Sequence, residues 1–169
     1  MGNYKGEDRL EKHFTPPQLL DAMWNLAKDI DATEYMENSA GDGAIIDYVI
    51  KPTGKPYIAY DIQNDTKRED IKECDYLKEK IEYKKGRVAI INPPFNKGLK
   101  FVYKALTEGD WCIALLSPSS LLNMDYTKYW VEPTEIELWP KQDFNTCIMS
   151  VVIMKIRLKK EGDKYEYEI

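Results

Sequence analysis

Two short, unbroken apolar runs fix what this chain can fold into. Val88-Ala89-Ile90-Ile91 ends on Asn92-Pro93-Pro94-Phe95, and Trp111-Cys112-Ile113-Ala114-Leu115-Leu116 ends on Ser117-Pro118. A run that is apolar at every position has no side to give to water, and these are too short for a helix buried all round. They read as strands covered on both faces, as in a parallel sheet lying between helices. Tyr57-Ile58-Ala59-Tyr60-Asp61 closes on an acid, and Tyr35-Met36-Glu37 runs into the Gly41-Asp42-Gly43 turn.

Helical spacing fills the gaps. Leu19, Leu20, Met23, Trp24 and Ala27 share one helical face, which Ile30 continues. This helix is expected to start in Phe14-Thr15-Pro16-Pro17-Gln18, with Thr15 as its cap, prolines in the first turn and Gln18 as the capping-box partner. Gly98 to Thr107 and Ser119 to Trp130 are the expected intervening helices. Glu135-Ile136-Glu137-Leu138-Trp139 and Ile148 to Leu158 are strand-like without a helix between them, so they predict an antiparallel pair closing one edge of the sheet. The expected class is α/β, doubly wound, mostly parallel with an antiparallel final strand. No linker or repeat divides the chain, and residues 1–169 are expected to form a single domain.

Composition narrows the function classes. Hydrophobic residues make up 43% and charged residues 31%, which is globular rather than disordered. Lys and Arg number 24 against 29 Asp and Glu, a net charge of −5. Tight nonspecific binding to long duplex is disfavoured, since domains that do this are usually basic, although a local patch can do what net charge does not. No stretch approaches the roughly 20 apolar residues of a membrane helix, and Met1 to Gly6 lacks the apolar core of a secretory signal. Cys74, Cys112 and Cys147 are odd in number and lack CxxC spacing. With His13 as the sole histidine they make neither a zinc site nor a disulfide framework. The expectation is a cytoplasmic protein with reduced thiols, no metal and no membrane partner.

Three features fall at strand ends, where open α/β sheets bind ligands. Glu37-Asn38-Ser39-Ala40-Gly41-Asp42-Gly43-Ala44 carries two glycines one residue apart, which permits a tight turn and close approach of a ligand; it serves either that purpose or plain connection. Neither GxGxxG nor GxxxxGK[ST] is present. Asp61 closes the next strand at about the 20-residue offset of a ribose-binding acid, and is otherwise a helix-capping acid. In Asn92-Pro93-Pro94-Phe95, the prolines fix the backbone and donate no N–H. A side-chain carbonyl on Asn92 and the backbone carbonyl of Pro93 can then hold the two hydrogens of an amino group, with Phe95 offering a flat face to the ring that bears it.

With these residues in place, the chain resembles the S-adenosylmethionine-dependent amino methyltransferases, and most closely the adenine-N6 DNA methyltransferases. The resemblance covers most of the chain and implies a Rossmann-like methyltransferase sheet. Thr15-Pro16-Pro17 resembles the upstream motif that encloses the methionine end of the cofactor, and Glu37 to Gly43, including Ser39 and Gly41, resembles the glycine motif. Asp61 is similar to the ribose-binding acid, Asp75 to the residue that accepts from the cofactor adenine, and Asn92 to Phe95 to the catalytic (D/N/S)PP(Y/F) tetrapeptide. Phe144, beside Asn145 and Cys147, stands where the family places an aromatic next to the target base. The motif order is similar to that of the gamma-type enzymes.

The resemblance implies S-adenosyl-L-methionine as cofactor and methyl transfer to the N6 amino group of adenine in DNA, with the base flipped out or unpaired. RNA or protein glutamine as substrate, or a non-catalytic subunit of the same fold, are the alternatives. Many such DNA enzymes carry a separate target-recognition domain. None is expected here, so recognition falls to the chain's own loops, to a specificity subunit or to an already unpaired substrate. Lys97, Lys100 and Lys104 share a helical face beside the tetrapeptide, either meeting phosphates or simply solvated, and Lys155, Arg157, Lys159 and Lys160 form a second candidate strip.

Overall fold

The computed structural model describes residues 14–144 and 147–159. His13, Asn145 and Lys160, discussed above, lie outside them. Seven strands form one sheet: β1 (Glu34–Glu37), β2 (Tyr57–Asp61), β3 (Lys72–Glu73), β4 (Arg87–Ile91), β5 (Trp111–Leu116), β6 (Val131–Asp143) and β7 (Ile148–Leu158), in the order β3-β2-β1-β4-β5-β7-β6. The first five run parallel, and β7 pairs antiparallel with both β5 and β6. This is the expected α/β sheet with an antiparallel finish.

Alternation along the central strands explains why both faces are apolar. Val88, Ile90, Ile113 and Leu115 pack toward α1 (Pro17–Ala27), whereas Ala89, Ile91, Cys112, Ala114 and Leu116 pack toward α2 (Gly98–Glu108). On β7, Val151 and Ile153 join the first layer, and Val152, Met154 and Ile156 the second. No described helix is long and apolar enough to cross a membrane.

Several local expectations change. Pro16, not Thr15, is the residue before the first turn of α1, and no side chain caps that turn; the Pro16 carbonyl instead accepts from the N–H groups of Leu19 and Leu20. The helix expected over Ser119 to Trp130 shrinks to α3 (Ser120–Asn123). Its continuation is diverted at Asp125, whose carboxylate accepts from Lys128 N at 2.9 Å and Thr127 Oγ1 at 3.1 Å, a side-chain turn that competes with helix. Strand β6 is longer than its apolar centre indicated. β3 and a π-helical turn at Ile46–Ile50 were not expected.

The basic strips also change. Lys104 does not face solvent with Lys97 and Lys100. It ion-pairs with Glu108 and lies 4.2 Å from the ring centre of Tyr76, whose hydroxyl donates to Glu108 Oε2 at 2.6 Å. Burial and the Glu108 carboxylate push the Tyr76 hydroxyl far above its ordinary range. Lys155 is buried between Asp29 and Glu135, and Arg157 bonds Glu132, so this strip braces β6 to β7 rather than reaching for phosphates. Removing a buried partner strands the charges it held. Glu108→Ala is expected to cost about 3 kcal/mol in a urea titration, and Glu108→Gln, which keeps an acceptor for Tyr76, less.

Candidate active site

At the carboxyl edge of the sheet Glu37 ends β1, Asp61 ends β2 and Asn92 follows β4, which brings residues far apart in sequence to one rim. An open cleft of about 250 Å³ lies there, lined by Phe14, Thr15, Glu37, Gly41, Asp42 and Asn92 among others.

The glycine turn forms the wall of the cleft. Gly41 and Gly43 take φ of 54° and 85°, where a side chain is strained. Gly43 meets a second constraint: a Cβ there would lie 2.3 Å from Arg68 Nη1. Arg68 uses all five of its N–H donors. It bonds both oxygens of Asp47 at 2.6 and 2.8 Å, both oxygens of Asp70 at 2.9 and 2.8 Å, and the Asp42 carbonyl at 3.5 Å. These bonds hold the Asp70 carboxyl far below its usual range. The guanidinium therefore ties the β2–β3 loop across the turn to the helical segment behind it. Sequence reasoning passed over Arg68, because nothing in Asp65-Thr66-Lys67-Arg68-Glu69-Asp70 shows that Asp47 will stand opposite it.

Glu37 is 1% exposed. Its Oε1 accepts from Ser39 N at 2.9 Å and Ser39 Oγ at 3.3 Å, while Oε2 is buried without a hydrogen-bond partner. Burial raises its pKa to about 8; the Asp61 charge adds to the rise, and the Ser39 bonds oppose it. Near neutrality the folded protein thus keeps a proton that the unfolded chain loses near pH 4.5. The sign follows: between about pH 4.5 and 8 the native state holds the extra proton, so raising the pH costs stability, by up to about 1.4 kcal/mol per unit. Urea midpoints are expected to fall from pH 5.5 to pH 8, and Glu37→Gln to flatten that fall.

Asp61 holds the turn in place, Oδ2 accepting from Gly41 N at 2.7 Å and Oδ1 from Gln63 N at 2.9 Å. Asp75 lies beyond β3. Its carboxylate accepts from Leu77 N at 3.1 Å and pairs with Lys78 at 3.5 Å, and it does not line the cleft. Lys97 is exposed at the end of the short turn that follows Pro94.

Asn92 lines the same cleft, and the rest of the tetrapeptide follows it. Pro94 is extended and its carbonyl accepts from Lys97 N at 2.9 Å; Pro93 is buried beneath it. Asn92 Nδ2 donates to Thr15 Oγ1 at 3.0 Å, so the hydroxyl expected to cap α1 is engaged across the cleft instead. Phe95 meets Phe144 edge-to-face, with ring centres 6.3 Å apart. Phe144 is 1% exposed, which makes it a support behind Phe95 rather than an open stacking surface. It rides on the β6–β7 hairpin, which also reaches α1 through a 3.0 Å bond from Gln18 Nε2 to Gln142 Oε1.

No protein-family model matches the sequence, and no curated protein matches it. Solved structures do resemble it. A Pyrococcus horikoshii protein, provisionally named an RNA methyltransferase, aligns with TM-score 0.70 and 16% identity over 96% of this chain and 92% of its own. An RNA methyltransferase from Salinibacter ruber, in complex with S-adenosyl-L-homocysteine, aligns with TM-score 0.59 and 12% identity over 89% of this chain and 97% of its own. A modification subunit of a provisionally assigned type I restriction enzyme from Vibrio vulnificus aligns with TM-score 0.64 and 9% identity over 86% of this chain and 44% of its own. At such identities the likeness is one of fold: this chain has the seven-stranded α/β fold of those methyltransferases.

Proposed function

We propose that this protein is an S-adenosylmethionine-dependent methyltransferase that acts on the N6 amino group of adenine in DNA, with the base flipped out or unpaired. The observation that carries the reading is that Asn92, the first residue of Asn92-Pro93-Pro94-Phe95, lines one cleft with Glu37, Ser39 and Gly41 of the glycine turn.

The residues present suit the cofactor. The buried Glu37 oxygen without a partner fits an ammonium end, whose positive charge would favour release of the proton that Glu37 otherwise keeps near neutrality, and the positive-φ glycines leave room for close backbone approach. In this reading Thr15, with Pro16 beside it, serves the methionine end, Ser39, Gly41 and Gly43 follow along the turn, and Asp61, whose carboxylate anchors that turn, serves the ribose hydroxyls; the assignment of the adenine amino group to Asp75, which lies outside the cleft, rests on the sequence resemblance alone. When bound, the cofactor supplies an electrophilic methyl group.

The rest is done by the chain's own groups. The lone pair of an aromatic amino nitrogen is delocalised into its ring. Asn92 Oδ1 and the Pro93 carbonyl accept its two hydrogens, favour a more tetrahedral nitrogen and aim the lone pair, which is catalysis by orientation and fixed dipoles. The methylated nitrogen is acidic enough to lose its proton to water, so no strong base is needed. Phe95, backed by Phe144, gives the base a face on which stacking is worth ~1–3 kcal/mol. Lys97 is the cation placed to meet an adjacent phosphate.

RNA adenine is the second reading. It is favoured by the fold likeness to two proteins named as RNA methyltransferases, most of whose own length this chain spans. One pooled assay tests both: the protein with S-adenosylmethionine labelled in its methyl group, unmethylated DNA, total RNA and cell protein, followed by mass spectrometry of each digest. Label on DNA adenine is expected. Label on RNA or on glutamine would keep the chemistry and discard the DNA reading.

A further inference from the structure

We propose that Glu37 makes the cleft selective for nucleosides that carry an α-ammonium group, by giving up a carboxyl proton in exchange for that cation. This rests on the S-adenosylmethionine reading and adds to it a proton that leaves as the ligand enters.

The geometry sets two states of the carboxyl group against each other. Glu37 lines the cleft at the end of β1, yet its side chain is almost wholly shut off from water. One oxygen is well served, Oε1 accepting from Ser39 N and Ser39 Oγ. The other, Oε2, has no hydrogen-bond partner. Ionised, the group leaves charge on a buried, unpaired oxygen, which is far more costly than burying a neutral acid. Protonated on Oε2, it is neutral and keeps both Ser39 bonds.

The surroundings do not supply the missing positive charge. Among the described residues that line the cleft, none is a lysine or an arginine. Asp61, at the end of β2, adds a second negative charge, and Asp42 of the glycine turn lines the cleft with its Oδ1 accepting from Ala44 N. On β5 the buried Cys112 thiol is held neutral by its own burial. Thr15 and Asn92, from the other sides, do not titrate. Burial and the Asp61 charge together raise the Glu37 pKa to about 8.

A primary ammonium brings a positive charge and N–H donors. Set against Oε2, it satisfies the unpaired oxygen and removes the reason for holding the proton; the O–H bond breaks and the proton passes to water. Linkage fixes the sign. A ligand that binds the ionised carboxylate gains affinity as the pH rises toward the pKa of the ligand-free group, and gains little beyond it. With that pKa near 8, Kd is expected to fall about ninefold from pH 6 to pH 7, with about 0.9 of a proton released per ligand at pH 7. A nucleoside without the ammonium has no cation to exchange, so the preference against it widens with pH by the same factor.

Calorimetric titration of S-adenosylhomocysteine at pH 6, 7 and 8, in buffers of different ionisation enthalpy, counts the protons. Methylthioadenosine, the same nucleoside thioether without the amino-acid end, is the matched control and is expected to release none. That comparison needs no variant, so it stands even where Glu37→Gln does not fold. Where it folds, Glu37→Gln is expected to abolish both the release and the pH dependence. The Glu37 carboxyl signal in 13C NMR, assigned by its loss in Glu37→Gln, is expected to titrate near pH 8 in the protein alone and to stay at the ionised position with S-adenosylhomocysteine bound. Binding without proton release, equal release with methylthioadenosine, release that persists in Glu37→Gln, or a carboxyl signal unmoved by the ligand would each overturn the exchange and leave the cofactor reading standing. Failure of S-adenosylhomocysteine to bind at any of these pH values would overturn both.

Discussion

Asn92→Ala is expected to lower methyl transfer at least hundredfold while leaving S-adenosylhomocysteine affinity within about threefold. The side chain reaches across the cleft to Thr15 rather than into the glycine turn, so cofactor contacts survive its loss. What goes is one of two acceptors that draw the amino lone pair out of its ring, and removing one such preorganised group typically costs two to three orders of magnitude in rate. Asn92→Asp keeps an acceptor but gives up the donor to Thr15, so it is expected to fall between wild type and alanine. Single-turnover rates and calorimetric Kd values check both. Retained activity in the alanine variant would remove the tetrapeptide from the mechanism.

The second large effect is expected at Gly43. Alanine there must hold φ near 85° and would place a methyl 2.3 Å from Arg68 Nη1. The left-handed conformation alone costs about 1–2 kcal/mol. The guanidinium must also move, and with every donor engaged it has no move that keeps its bonds to Asp47 and Asp70. Those carboxylates are partly exposed, so solvent screening limits the additional loss. Gly43→Ala is therefore expected to cost about 2–4 kcal/mol by urea titration and to weaken cofactor binding about tenfold. The cause can be isolated. In an Arg68→Ala background the clash is gone, and Gly43→Ala should cost only the backbone term of about 1–2 kcal/mol, a coupling visible in a double-mutant cycle.

The parts legible in the sequence were those where burial leaves no choice. β4 and β5 are apolar at nearly every position because both faces are covered, so their spans and the turns that close them could be read directly. That Asn92, Glu37 and Asp61 share one rim could be read for the same reason, since strand ends in such a sheet converge there. β3 was not legible: two exposed residues, Lys72 and Glu73, carry no periodicity. Charge was read poorly, because a lysine in sequence does not show its partner. Lys104 had an i+4 acid in Glu108 that could have been noticed, whereas the partners of Lys155 come from 126 and 20 residues upstream. Thr15 was read as a cap because local rules see Gln18 three residues on and cannot see Asn92.

The strand order carries a consequence for how the chain is made. β7 lies inside β6, between it and β5, yet is synthesised after it. When β6 leaves the ribosome β7, its sheet partner among the described residues, does not yet exist, and a 13-residue strand bearing Ile136 and Leu138 is exposed to any other strand nearby. Glu132, Glu135 and Glu137 give that orphan a charge that repels copies of itself. Two of these acids then find Arg157 and Lys155 on the arriving strand. The same side chains that keep β6 apart from its copies before the sheet closes are the ones that hold it in register afterwards.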